Sequence, residues 1–85
     1  LWGVRIENLV MNVPAVTPEG ANFAEFLEFE TLTLCPIDTR CIARGLLRAD
    51  EVAWLNAYHA TVRERLAPRV GGAALAWLQA RTQPL

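Results

Sequence analysis

Glu7 stands two residues after Arg5 in Gly3-Val4-Arg5-Ile6-Glu7-Asn8, inside a stretch that is otherwise mostly apolar. A carboxylate is a hard oxygen donor for divalent cations. Two such ions held roughly 3.5–4 Å apart can activate water and clamp the oxygens of a hydrolytic transition state. One carboxylate cannot build that centre, so these residue types alone stop at a metal ligand with an arginine able to orient it and keep it ionised. Burying an unpaired carboxylate in such a stretch would be costly, which favours an ion pair or a bound cation for Glu7. The plainer alternative is a solvent-facing glutamate on a strand.

The other reactive residue types carry weaker cases. His59 falls within a run of helical spacing, beside its apolar face, and is expected to be structural. Cys35 and Cys41 bracket Pro36-Ile37-Asp38-Thr39-Arg40. They lack the paired spacing of a zinc site and do not form the framework of a secreted disulfide-rich domain. We expect reduced, buried thiols. Asp38 and Glu30 would sit in a turn and on a strand, with nothing to fix their separation as an acid and a base. Phe29, Trp54, Tyr58 and Trp77 read as core aromatics rather than a ligand-stacking surface.

The elements that must position these groups follow from periodicity. Leu1 to Val13 is β-branched and apolar up to Pro14, which predicts a first strand with Arg5 and Glu7 on one face. Pro14 to Ala24 predicts a loop, and Phe26 to Leu34 a second strand pairing antiparallel with the first. A turn-rich segment over Pro36 to Gly45 leads to Leu46 and Leu47, expected in the core. Trp54, Leu55, Tyr58, Val62 and Leu66 then mark a helical face, with Asp50 and Glu51 near its positive end and Pro68 closing it. A last helix is predicted from Gly72 to Arg81, turning Ala74, Trp77 and Leu78 inward. The fold class is α+β, two antiparallel strands followed by two helices.

Composition narrows the functions. A chain of 85 residues, 53% hydrophobic and 20% charged, is too apolar for a disordered tail. It contains no apolar run near the ~20 residues of a membrane-spanning helix. Its positive charge is eight dispersed arginines against nine acidic residues, which leaves no basic stripe for nucleic acid or a membrane surface. A first residue of Leu, with no signal-type segment ahead of it, reads as a piece of something larger.

Four blocks in register resemble the C-terminal end of the aminopeptidase P (Xaa-Pro aminopeptidase) family. They are Gly3 to Asn8, Phe29 to Thr39, Trp54-Leu55-Asn56-Ala57-Tyr58-His59, and Ala76-Trp77-Leu78 with Thr82-Gln83-Pro84. The resemblance implies a pita-bread metallopeptidase with two divalent metals, commonly manganese, held by two aspartates, a histidine and two glutamates. It makes Glu7 the last, bridging ligand and Arg5 a supporting residue, with the other ligands and the catalytic histidines ahead of Leu1. Residues 1–22 would then be the last metal-ligand strand and loop of the catalytic domain, and 23–85 its C-terminal extension. The implied substrate is a peptide with proline at its second position, and the implied setting is a cytoplasmic homodimer with no nucleic-acid or membrane partner. The 85 residues alone are expected to be inactive. The alternative is a non-catalytic structural or dimerisation module. One departure from the family pattern is Arg48, where relatives tend to carry a small hydroxyl residue that caps the helix.

Overall fold

A computed structural model describes residues 1–16 and 25–85. The second part of the expected loop and the expected boundary between residues 22 and 23 lie outside the described residues. The chain divides into two compact units, Leu1–Thr33 and Leu34–Leu85.

The first unit is a hairpin. Strand β1 (Val10–Pro14) pairs antiparallel with β2 (Leu27–Thr31), with Val10 opposite Thr31, Asn12 opposite Phe29 and Pro14 opposite Leu27. Because side chains alternate across a strand, these three pairs share one face, and Met11, Val13, Glu28 and Glu30 share the other. The pairing extends slightly past the strands. Ala15 N–H donates to Phe26 O at 2.8 Å, Leu32 N–H donates to Leu9 O at 2.8 Å, and the Thr33 hydroxyl accepts Leu9 N–H at 2.9 Å.

Both strands are shorter than their sequence periods suggest, and the first is much shorter than the expected Leu1 to Val13. A strand is defined by a neighbour's backbone as well as by its own side chains. Among the described residues, β2 supplies that neighbour only from Leu9 onward. Trp2, Val4 and Ile6 are consequently exposed despite their apolar alternation.

The second unit is helical. Helix α1 (Ala49–Leu66) buries Leu55, Tyr58, His59 and Val62, whose spacing repeats at three and four residues. Arg48 at its N-cap has no acceptor atom, so its side chain cannot satisfy the first-turn amides as a hydroxyl would. Instead the Glu51 carboxylate accepts Arg48 N–H at 3.0 Å, and the Arg48 guanidinium donates to Asp50 at 3.0 and 3.1 Å. The helix start therefore relies on Asp50 and Glu51, as the sequence suggested. After a 3₁₀ turn over Ala67–Arg69, helix α2 (Gly72–Arg81) opens on Gly72, whose φ of +57° lies in the region glycine enters without steric cost.

The core is small: Tyr58, Val62 and Leu78, flanked by half-buried Leu34, Ile37, Leu66 and Ala67. Polar links supplement it. Arg63 donates from Nε to the Thr82 hydroxyl at 2.8 Å and from Nη2 to Gln79 O at 2.9 Å, while the Thr82 hydroxyl donates to Leu78 O at 2.7 Å. These bonds tie α1 to the last turn of α2, where the Gln79 carbonyl accepts from Arg63 and the Leu78 carbonyl from Thr82. Several expected core residues lie outside it. Leu46 is 84% exposed, Trp77 is 53% exposed, and Ala74 also faces outward. Leu46 closes a 3₁₀ turn (Arg44–Leu46) rather than entering the core, and from α2 it is Leu78 that joins the buried cluster with Tyr58 and Val62.

Leu78→Ala should therefore cost about 3 kcal/mol in chemical denaturation, and Trp77→Ala less than about 1 kcal/mol. Equal losses at the two positions would contradict this placement of the core.

Candidate functional site

Arg5 and Glu7 lie in the segment before β1, not within the strand predicted for them. They nevertheless fall on the same side. Arg5 Nε is 3.1 Å from Glu7 Oε1, with the two side chains 83% and 71% exposed. An ion pair this open to water contributes little stability, typically under about 1 kcal/mol. The Glu7 carboxylate is thus paired with its arginine and presented to solvent. It is chemically suited to be one oxygen ligand of a divalent cation. Among the described residues, no group of three or more His, Cys, Asp or Glu side chains is arranged to hold a metal ion, so Glu7 stands without further ligands among them.

His59 is structural, as its spacing suggested. It is 1% exposed, and its Nε2 accepts the Ile37 N–H at 2.9 Å. That bond assigns the ring proton to Nδ1, a buried atom without a hydrogen-bond partner among the described residues. Burial pushes the imidazole pKa down and favours the neutral ring. The adjacent Tyr58 also holds backbone: its hydroxyl accepts Cys35 N–H and donates to Cys35 O, both at 3.1 Å. The apolar-face reading of α1 missed this polar role of Tyr58. The signal available was the pairing of a tyrosine and a histidine at adjacent helical positions opposite a proline-containing segment short of backbone partners.

The cysteines are free thiols, as expected, but both are exposed rather than buried. They sit on the irregular segment, whose buried contacts come from Leu34 and Ile37 instead. Asp38 is committed to Arg40, accepting its backbone N–H at 3.0 Å and its guanidinium at 2.7–3.2 Å. Those bonds hold the Asp38 carboxyl far below the usual carboxylate range, which suits a turn-forming residue better than a proton donor. Glu30 lies in the hairpin opposite Met11. Trp54 stacks on Tyr58 with ring centroids 5.3 Å apart and planes 6° from parallel, while remaining half exposed. Trp77 lines a shallow groove of about 100 Å³ with Pro36, Ile37, Asp38, Arg40 and Arg81.

A solved X-prolyl aminopeptidase from Caenorhabditis elegans, described as a cytosolic enzyme with a di-nuclear active site, matches with a TM-score of 0.80 and 39% identity. The match covers 99% of this chain and 14% of that one. Aminopeptidase P2 of Arabidopsis thaliana is 44% identical over 85 residues, and a probable Xaa-Pro aminopeptidase P of Coprinopsis cinerea is 36% identical over 86. These alignments take in 99% of this chain but only 12% and 14% of the relatives, so the chain spans about an eighth of their length. Residues 25–85 match the model of the family described as the C-terminal region of peptidase_M24, and the chain belongs to that family. Arg5 and Glu7 lie ahead of the residues matched by the family model but within the full-length alignments.

Proposed function

We propose that this chain is the C-terminal part of a dinuclear-metal aminopeptidase that removes an N-terminal residue preceding proline, and that Glu7 is one of its metal ligands. The observation that carries the reading is the agreement over 99% of the chain with a solved X-prolyl aminopeptidase of di-nuclear active site. The exposed, arginine-oriented carboxylate of Glu7 supports its place in that site.

In this reading, two divalent ions, manganese by family resemblance, supply Lewis acidity and an activated water for hydrolysis. Glu7 would offer its carboxylate oxygens as one ligand of that centre. Arg5 is a positioning residue that fixes the direction of the carboxylate through the 3.1 Å pair. Residues 1–22 are assigned to the catalytic domain and 23–85 to the C-terminal extension. The remaining ligands come from other parts of the complete protein, and a cytoplasmic location is proposed from the relative described as cytosolic.

Glu7→Ala in a complete protein carrying this chain should abolish dinuclear metal occupancy, read by elemental analysis, together with most cleavage of an Xaa-Pro peptide. Unchanged metal content would exclude the ligand role. The isolated 85 residues should neither bind manganese tightly nor cleave such a peptide, and specific turnover by them would be equally contrary.

The exposed side chains of Leu46, Trp54 and Trp77 favour a further role in association, for apolar area of this kind is common at subunit contacts. We assign the extension to a homodimer contact. Light scattering of the complete protein with and without residues 23–85 tests it: loss of the dimer is expected, and an unaltered dimer would remove the assignment.

A further inference from the structure

The segment Cys35–Ile37 is fastened to α1 by two adjacent side chains. Tyr58 holds both backbone groups of Cys35 through its hydroxyl, and His59 accepts the Ile37 amide at 2.9 Å. Ile37 is also part of the apolar layer against Tyr58, Val62 and Leu78. The same segment supplies Pro36 and Ile37, and is followed by Asp38, in the wall of the groove that Trp77 and Arg81 complete.

The two fasteners respond differently to acid. A phenol hydroxyl donates and accepts across the whole physiological range, whereas an imidazole can accept only while one nitrogen is unprotonated. Protonation of Nε2 would set two N–H donors against each other at the Ile37 amide, and it would place a charge in a site open to almost no water.

We propose that His59 is an acid-sensitive latch: protonating its Nε2 releases the Ile37 amide and loosens the wall of the groove beside Trp77, while Tyr58 keeps its hold on Cys35 and α1 remains folded.

The surroundings of the ring fit this role. The Tyr58 ring lies 6.0 Å away on the same helix. The titratable and charged groups on the fastened segment and the turn after it are Cys35, Asp38, Arg40 and Cys41, and Arg81 belongs to α2. Asp38 is engaged by Arg40. Burial is the cause that acts on the imidazole, and none of those groups stabilises its charged form.

The sign follows from linkage. The closed ring has its affinity for protons lowered below the ordinary value of 6.5, and the open ring regains it. The latch is therefore fully closed above about pH 6.5 and weakens as the pH falls below it, levelling off only below the pKa of the closed ring.

Amide hydrogen exchange on the 85-residue chain, corrected for the intrinsic pH dependence of exchange, tests the proposal. Protection of the Ile37 amide should fall between pH 7.5 and pH 5.5, by up to about tenfold for an open ring with the ordinary value of 6.5, while amides in the middle of α1 change little. His59→Gln keeps an acceptor that does not titrate, and should flatten the profile at Ile37. Tyr58→Phe should lower protection at Cys35 and leave the pH dependence at Ile37 in place. A flat Ile37 profile in the wild-type chain would overturn the latch. So would a fall shared equally by α1, or a pH dependence that persists in His59→Gln. The wild-type profile decides even if a variant fails to fold.

Discussion

The helical unit depends on the contact of Val62 and Tyr58 on α1 with Leu78 on α2. That contact is small for a unit of this length, because a short chain cannot remove enough apolar surface from water to hold itself by burial alone. The polar links around it follow from this shortage. Arg63 fixes the end of α2, and Tyr58 and His59 fix the segment ahead of α1, each satisfying backbone groups that no regular element would reach. Every one of these side chains projects from α1, which makes that helix the scaffold on which the other parts are arranged.

The hairpin obeys a different constraint. Among the described residues its strands pair only with each other, and apolar residues on both faces remain in water, among them Leu9, Val10, Leu27 and Phe29. A two-stranded hairpin gains little from burial, and its order comes from ladder and flanking hydrogen bonds. The segment leading into it therefore presents Glu7 to water rather than enclosing it. Its carboxylate is oriented by Arg5, a sufficient arrangement for a single ligand.

Much of the architecture was legible in the sequence. The order of the elements, the antiparallel pairing and the extent of α2 followed from alternation, helical spacing and proline positions. The reading failed where burial depends on a partner rather than on residue type. Leu1 to Leu9 carries the alternation of a strand, yet pairing begins only where β2 provides a backbone. Trp77 and Leu46 are apolar but sit at positions the core does not reach, and Cys35 and Cys41 are exposed because the segment between them is fastened through its backbone. The relation of Arg5 to Glu7 was legible from their spacing alone, since residues two apart in extended chain share a side. A metal centre was not legible from the residues themselves, because the family resemblance implies five ligands and matches only Glu7 among these 85 residues.

The ligand role proposed for Glu7 is tested by anomalous diffraction at the manganese edge from crystals of the complete protein grown with manganese. Two anomalous peaks about 3.5–4 Å apart, both within coordination distance of the Glu7 carboxylate, are the predicted result. Two peaks bound by other residues, with Glu7 still turned toward Arg5 and away from both, would contradict the account.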